Sequence, residues 1–296
     1  MIYDELYDEW RNQPYMDSCT EKFEIRDGIA IIPEGTTKIG NYAFDDCTLL
    51  ESVTIPESVT EIGNCAFIRC TSLKNVAIPK SVTQIGDSAF SGCTSLESIT
   101  LPDSVTIIDW LAFDDCTSLK NITLPDSVTF LGEKAFSGCT SLESITISKS
   151  VTLIQHYTFN DCSSLKSITI PDSVKEIGVG AFRWCALLES VTIPESVTRI
   201  GCYAFMGCTS LKNITIPESV TEIGECTFKG CTSLESITIP ESVTKIDESA
   251  FDYCSALTAI YVPAKKTDYY KKRLPEELHD TIVELTPEKK AKAKKK

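Results

Sequence analysis

Hydrophobic residues recur along most of this chain with a period of 23 residues. Ten phenylalanines lie at that spacing, and each is followed three positions later by a cysteine and six positions later by a leucine. The phenylalanines are Phe44, Phe67, Phe90, Phe113, Phe136, Phe159, Phe182, Phe205, Phe228 and Phe251. A fixed period in this range indicates a solenoid, in which each repeat forms one coil and buries its apolar side chains against neighbouring coils.

Each repeat predicts a short series of structural segments. The pattern L-x-x-I-x-I alternates as a β-strand does and ends at a proline, which cannot donate to a strand ladder. A valine and an isoleucine then point into the core from a side of the coil that we expect to be irregular. Next comes glycine, or Asp109 and Asp247 in its place, and both residue types tolerate a turn with positive φ. Such glycines are Gly63, Gly86, Gly132 and Gly178. The segment A-F-x-x-C closes the coil with a short helical or 3₁₀ return.

Stacking these coils predicts a single array over residues 28–263. Eleven parallel strands would lie in register on its concave side, with short helical or irregular returns opposite. Because neighbouring strands lie about 4.8 Å apart, the array would be about 50 Å long.

The segments that flank the array differ from it in sequence. In residues 1–27, apolar side chains at helical spacing predict a short helix that caps the first coil or, alternatively, docks a partner. These side chains are Tyr3, Leu6, Tyr7 and Trp10. Residues 264–285 are predicted to form a C-terminal cap with a short helix and a final strand. Residues 286–296 are predicted to be a disordered basic tail, for which a nuclear or nucleic-acid role is the alternative to simple solvation.

Charge narrows the range of partners. The net charge is −14 and the pI is about 4.7, which disfavours nucleic acid and anionic membranes because both require clustered cations. No run of about 20 apolar residues is present, so we expect no membrane insertion. The N-terminus has acidic residues where a signal peptide has basic ones, and we therefore expect no export by the common route.

Fourteen cysteines occur in the chain, and ten of them occupy the A-F-x-x-C position. Cysteine at an apolar repeat position packs as a small buried side chain, so we predict a ladder of reduced core thiols. The other four are Cys19, Cys65, Cys202 and Cys226. Cys202 and Cys226 fall on adjacent coils, which leaves a disulfide open if the protein is exported. A zinc site that included Cys208 and Cys231 would need two ladder thiols to leave the core, so no metal is predicted.

Outward positions of stacked coils form ladders of like residues. The residue after the strand leucine alternates between glutamate and lysine, so that neighbouring coils attract. The outward strand face is rich in threonine, with an acidic column beside it. Such a uniform face suits an extended or repetitive protein partner, while the β propensity of threonine accounts for it equally well.

The largest departures from the repeat fall on three consecutive coils. A position that is polar or charged in most coils becomes Ile107, Phe130 and Leu153. Aromatic residues flank this stripe at Trp110, Tyr157 and Trp184. A contiguous apolar stripe with aromatic neighbours is typical of an interface. We therefore predict that these six residues bind a protein partner or a second copy of the chain, with local repacking as the alternative.

The chain carries no constellation typical of an enzyme. A Cys–His nucleophile needs a base beside the thiol, and the histidines are His156 and His279. His156 shares a coil with Cys162, but that cysteine belongs to the core ladder. A glycine-rich phosphate loop and an H-E-x-x-H motif are both absent from the sequence. We predict no catalytic residue and no cofactor.

The unit L-x-x-I-x-I-P-x-S-V-x-x-I-G-x-x-A-F-x-x-C, repeated ten times in phase, resembles the BspA-like class of leucine-rich repeats. The end YVPAKKTDYYKKRLPEELHDTIVEL also resembles the C-terminal cap of that class. The resemblance implies a leucine-rich repeat solenoid that binds proteins without catalysis. Members are mostly surface proteins of bacteria and some protists, implicated in adhesion to host or matrix proteins and to other microbes. The resemblance therefore implies a surface or secreted location. The missing leader, sorting motif and anchor favour the alternative of an intracellular interaction scaffold.

Overall fold

The computed structural model describes residues 23–285, which form one β-solenoid. The helix predicted through Trp10 and the predicted tail at 286–296 lie outside these residues. The strands are β1 Ile25–Arg26, β2 Ile29–Ile31, β3 Lys38–Ile39, β4 Ser52–Thr54, β5 Glu61–Ile62, β6 Asn75–Ala77, β7 Gln84–Ile85, β8 Ser98–Thr100, β9 Ile107–Ile108, β10 Asn121–Thr123, β11 Phe130–Leu131, β12 Ser144–Thr146, β13 Leu153–Ile154, β14 Ser167–Thr169, β15 Glu176–Ile177, β16 Ser190–Thr192, β17 Arg199–Ile200, β18 Asn213–Thr215, β19 Glu222–Ile223, β20 Ser236–Thr238, β21 Lys245–Ile246, β22 Ala259–Pro263 and β23 Ile282–Leu285.

The even-numbered strands from β2 to β22 form what we call the first sheet. In the three-residue strands the middle side chain is buried and the outer two face solvent, as the alternating sequence predicts. Neighbours pair in parallel and in register, as Asn121 with Ser144 and Ile122 with Ile145. The eleven parallel strands are thus confirmed. Together with β1 and β23, they are divided by hydrogen bonding into three segments, which are β1-β2-β4-β6-β8, β10-β12-β14-β16 and β18-β20-β22-β23.

The odd-numbered strands from β3 to β21 form a second sheet on the side of the coil that we expected to be irregular. Each contains two residues, of which the second is a buried aliphatic side chain. They also stack in parallel and in register, as Phe130 with Ile107 and Leu131 with Ile108. The expectation of an irregular side was wrong because two residues are too short to show alternation in a sequence. The A-F-x-x-C return consists of successive hydrogen-bonded turns rather than helix.

The core contains a continuous column of phenyl rings. From Phe44 to Phe251 the rings stack with centroids 4.9–5.9 Å apart and planes 3–11° from parallel. Phe23 extends the column by stacking on Phe44 at 5.1 Å. Each ring of the repeat is fully or almost fully buried. One residue type therefore fills the same volume in every coil, which fixes the distance between coils.

The cysteine column has a second role besides packing. The Sγ of Cys70 donates to the backbone carbonyl of Phe44 at 3.1 Å, and the same bond recurs in every later coil up to the one from Cys254 to Phe228. Burial raises the pKa of thiols such as Cys93 and Cys116 well above its ordinary value. These nine thiols are free, as predicted.

Cys47 is the exception, because it is disulfide-bonded. The prediction of reduced thiols was therefore wrong for this first member of the column. Every later ladder thiol donates instead to the backbone carbonyl of the phenylalanine 26 residues earlier. The off-ladder residues Cys65, Cys202 and Cys226 are free thiols.

The repeat glycines do not have the positive φ that we expected. Positive φ occurs instead two positions after them, as at Tyr42 and Cys65, and in the residue before each ladder cysteine from Asp46 to Tyr253. The glycines are needed for close approach between coils. A Cβ atom at Gly86 would lie 2.7 Å from the backbone carbon of Gly63 in the preceding coil.

A cap covers the last coil. It contains the helix α1, Thr267–Lys271, a 3₁₀ helix at Glu276–Thr281 and β23, which pairs in parallel with β22. Tyr270 of α1 is buried, and its hydroxyl donates to the carbonyl of Pro240 at 3.0 Å. Within residues 23–285, no helix has the length and apolar character needed to cross a bilayer.

Asp114 provides a test of the packing around the returns. It is 8% exposed, and burial together with the neighbouring Asp115 raises its pKa to about 7, although Ser137 and Lys134 oppose the shift. A carboxyl whose pKa rises on folding favours the folded state below its unfolded pKa of about 3.9 and loses that contribution as the pH rises toward 7. We expect Asp114→Asn to be more stable than wild type at pH 8, by about 2–4 kcal/mol. The two should converge toward pH 4 in urea titrations, and equal stabilities at pH 4 and pH 8 would contradict the expectation.

Candidate protein-interaction surfaces

The outward face of the first sheet is polar and regular. Its hydroxyl and amide side chains bridge neighbouring coils, as Ser98 Oγ does to Asn75 Oδ1 at 2.7 Å and Ser144 Oγ to Asn121 Oδ1 at 2.7 Å. Serine and asparagine alternate at this position from Asn75 to Ser144, and the alternation supplies each serine hydroxyl with an amide acceptor one coil away. The threonines beside it are exposed in most coils, so this face offers an ordered row of hydroxyl groups.

The glutamate–lysine column beside this face forms ion pairs between coils. Lys74 Nζ lies 2.8 Å from Glu51 Oε2, and Lys166 Nζ lies 3.1 Å from Glu143 Oε2. These side chains are more than half exposed, so solvent screens each pair and it contributes little to stability. The prediction that neighbouring coils attract at this column is confirmed for these pairs.

Three large apolar side chains lie exposed at the N-terminal end of the first sheet. Ile29, Ile31 and Leu49 are 46%, 69% and 81% exposed. Ile29 and Ile31 occupy the outward strand positions at which their register partners in the next coil are Ser52 and Thr54. This cluster, which we call the apolar end, was missed by the sequence interpretation. The signal was available, because isoleucine occupies repeat positions that carry serine, asparagine or threonine in most other coils.

The predicted stripe lies on the second sheet. Ile107, Phe130 and Leu153 are the first residues of β9, β11 and β13, and each is partly exposed while the residue after it is buried. Ile107 and Phe130 are register partners. Leu153 begins the next hydrogen-bonded segment. The structure thus places these three side chains in one outward column.

Ion pairs border the stripe on both sides. In the same column, Lys38 Nζ lies 2.7 Å from Glu61 Oε1 on the N-terminal side, and Arg199 Nη1 lies 2.9 Å from Glu176 Oε1 on the C-terminal side. An apolar patch with a charged border is the usual composition of a protein interface.

The flanking aromatic residues have different environments. Trp110, just after β9, is 48% exposed. Tyr157 and Trp184 lie in return turns, where their rings cover Gly180 and Gly207 of the following coils so closely that a Cβ atom at either glycine would collide with them. Trp184 remains 43% exposed, and Tyr157 is partly buried. Packing between coils therefore accounts for part of these two rings, and their role in binding stays a prediction.

The residues considered for chemistry have structural partners. His156 Nδ1 accepts a hydrogen bond from the backbone N–H of Val179 at 2.9 Å, and Cys162 Sγ donates to the carbonyl of Phe136. Cys226 is hydrogen-bonded to Ser249. Within residues 23–285, no group of three or more histidine, cysteine or acidic residues is arranged to hold a metal ion.

Comparisons with known proteins agree with this geometry. A family model described as the BspA type leucine-rich repeat region, of six copies, matches residues 29–143, 83–201 and 175–274. A leucine-rich repeat protein from Bacteroides ovatus is 36% identical, with a TM-score of 0.73, over 87% of this chain and 69% of that one. A leucine-rich cell surface protein from Faecalibacterium prausnitzii is 35% identical, with a TM-score of 0.51, over 82% of this chain and 80% of that one. No match was found among curated proteins.

Both the repeat geometry and the extent of these matches lead to one assignment. The family model spans the array from the first strand of the first sheet into the C-terminal cap. This chain belongs to the BspA-type leucine-rich repeat family.

Proposed function

We propose that this protein is a non-catalytic scaffold that binds an extended protein partner along its first sheet, as an adhesin does. The observation that carries the proposal is the apolar end, where Ile29, Ile31 and Leu49 are exposed beside a sheet face that is otherwise hydroxyl-rich. Large apolar side chains at one end of a polar surface are typical anchors of an interface, because their desolvation supplies most of the binding energy.

The charge of the chain specifies the partner further. An exposed acidic residue follows the proline in most coils, at Glu57, Asp103, Asp126, Asp172, Glu195, Glu218 and Glu241. A partner that places apolar side chains on the apolar end and basic side chains along this column would match the surface in both respects. Because the acidic groups are exposed, we expect affinity to fall as salt concentration rises.

Two further observations support the non-catalytic, adhesin-like part of the proposal. The ladder thiols whose pKa burial raises are poor nucleophiles, because the thiolate is the reactive form. The F. prausnitzii relative is named a cell surface protein. Labelling of intact cells with a membrane-impermeant reagent would test surface location of this chain.

The binding site is tested with Ile31→Asp against a panel of purified extracellular-matrix proteins. We expect wild type to bind at least one of them and Ile31→Asp to lose about tenfold or more in affinity, because a charge then occupies the anchor position. Leu49→Asp and Leu187→Asp form a matched pair, since both leucines are exposed and occupy the same repeat position in different coils. Only Leu49→Asp should weaken binding. Equal loss in Leu187→Asp, or no binding by wild type to any matrix protein, would contradict the proposal.

A further inference from the structure

We infer that two copies of this chain associate through their second sheets, with the stacks antiparallel and the two-fold axis beside Phe130. This interface is separate from the first-sheet surface of the proposed function. The second sheet presents one outward residue per coil, and we call this series the second-sheet column. From the N-terminal end it reads Lys38, Glu61, Gln84, Ile107, Phe130, Leu153, Glu176, Arg199, Glu222 and Lys245.

A two-fold interface brings the same surface of both copies together, so its residues must complement themselves. With antiparallel stacks centred on Phe130, Ile107 faces Leu153 of the second copy. Farther out, Glu61 faces Arg199, and Lys38 faces Glu222. The apolar stripe therefore meets itself, and every charged residue at these outer positions meets the opposite charge.

Gln84 completes this register. It faces Glu176 of the second copy. Its Nε2 donates one N–H to Asp109 Oδ2 at 3.3 Å within the chain, and the second N–H can donate to that glutamate. Within one chain Lys38 pairs with Glu61, Arg199 with Glu176 and Glu222 with Lys245. Lys38 and Glu61 therefore face Glu222 and Arg199, which belong to two different ion pairs. Each of these four residues still meets the opposite charge across the exposed border of the interface, which is favourable.

Other registers lack this complementarity. A shift of half a coil toward the N-terminus places Glu61 over Glu176 and Lys38 over Arg199. A shift of half a coil toward the C-terminus places Glu61 over Glu222 and Lys38 over Lys245. With parallel stacks, every charged residue faces the same residue of the second copy, so like charges meet. The sequence of the column therefore favours the antiparallel orientation and the register at Phe130 over these arrangements.

The surface is large enough for a weak dimer. Nine facing positions at about 4.8 Å spacing span about 38 Å. With a width of about 10–15 Å, the two copies would bury about 800–1,200 Å² in total, at the lower limit of specific interfaces. Trp110, exposed beside Ile107, lies at the border of this area. We expect a dissociation constant in the micromolar range.

The inference is tested by sedimentation equilibrium of the full chain over a range of concentrations. Variants in which the charges of Glu61 and Arg199 are exchanged are compared with wild type. We expect wild type to dimerise and Phe130→Asp to be monomeric with an unchanged melting temperature, because Phe130 is partly exposed. Arg199→Glu and Glu61→Arg alone should each weaken the dimer about tenfold, since two symmetric pairs become repulsive. The double variant Glu61→Arg/Arg199→Glu should restore it to within about threefold.

Three results would overturn the inference. They are a monomeric wild type at about 100 μM, a dimer insensitive to Phe130→Asp, and a double variant no stronger than the single ones. If Phe130→Asp fails to fold, the double variant Glu61→Arg/Arg199→Glu still tests the inference, because it leaves the apolar stripe intact. Ile31→Asp should dimerise as wild type does, so failure of this inference is distinguishable from failure of the proposed function.

Discussion

Replacing Phe113 with alanine is expected to lower the free energy of unfolding by about 3–5 kcal/mol, the range for a fully buried phenylalanine. The ring stacks on Phe90 at 5.5 Å and on Phe136 at 5.3 Å, so its removal leaves a cavity against two neighbouring coils. In a solenoid each coil is stabilised by its neighbours, and a defect in the middle therefore weakens the contacts on both sides. Urea denaturation followed by circular dichroism measures the loss.

Phe23→Ala is the control for this prediction. Phe23 stacks on the single ring of Phe44 and is partly exposed, so its loss should cost less than half as much. A second comparison, Phe113→Leu, keeps most of the volume and should cost about 1–1.5 kcal/mol. If Phe113→Ala and Phe23→Ala were equally destabilising, the ring column would not be what couples the coils.

The buried columns could be predicted from the sequence because the period fixes them. Phenylalanine, cysteine and leucine recur in phase, and in-register stacking gives every member of a column the same environment. Burial of Phe113, Cys116 and Leu119 was therefore predictable from any one coil. The thiol–carbonyl bonds were not predictable, because the sequence shows that a position is apolar but does not show which backbone group lies beside it.

The candidate surfaces were predictable only where the repeat gave a reference. Ile107, Phe130 and Leu153 departed from a column of polar residues, and the structure places them together. Ile29 and Ile31 departed equally, but the outward positions of the first strand were not compared with those of later coils.

Tyr157 and Trp184 show that a departure from the repeat can also reflect packing between coils. They also depart from the repeat, yet Gly180 and Gly207 one coil later make room for their rings. A large residue opposite a small one in the next coil is a compensation that can be recognised in the sequence. It favours packing between coils as one role of the large residue.

Gly132→Ala is expected to lower the free energy of unfolding by about 3 kcal/mol, although its φ is in the ordinary range. An added Cβ would lie 2.5 Å from the backbone carbonyl carbon of Asp109 and from the backbone nitrogen of Trp110. Backbone atoms of a packed coil cannot move aside as a flexible side chain can, so the two coils must separate. Thermal or urea denaturation measures this cost.

Gly35→Ala separates this cause from backbone strain. Gly35 has a φ of +84° and no atom within 4 Å of an added Cβ, so only the left-handed conformation opposes alanine there, at a cost of about 1 kcal/mol. The opposite order, with Gly35→Ala the more damaging, would mean that the close approach at Gly132 is relieved at little cost. The expected order would mean that backbone contact with the preceding coil is what excludes a Cβ atom at Gly132. At Asp109, Gln155 and Asp247 the sequence replaces that glycine, and neighbouring coils there must accommodate a side chain.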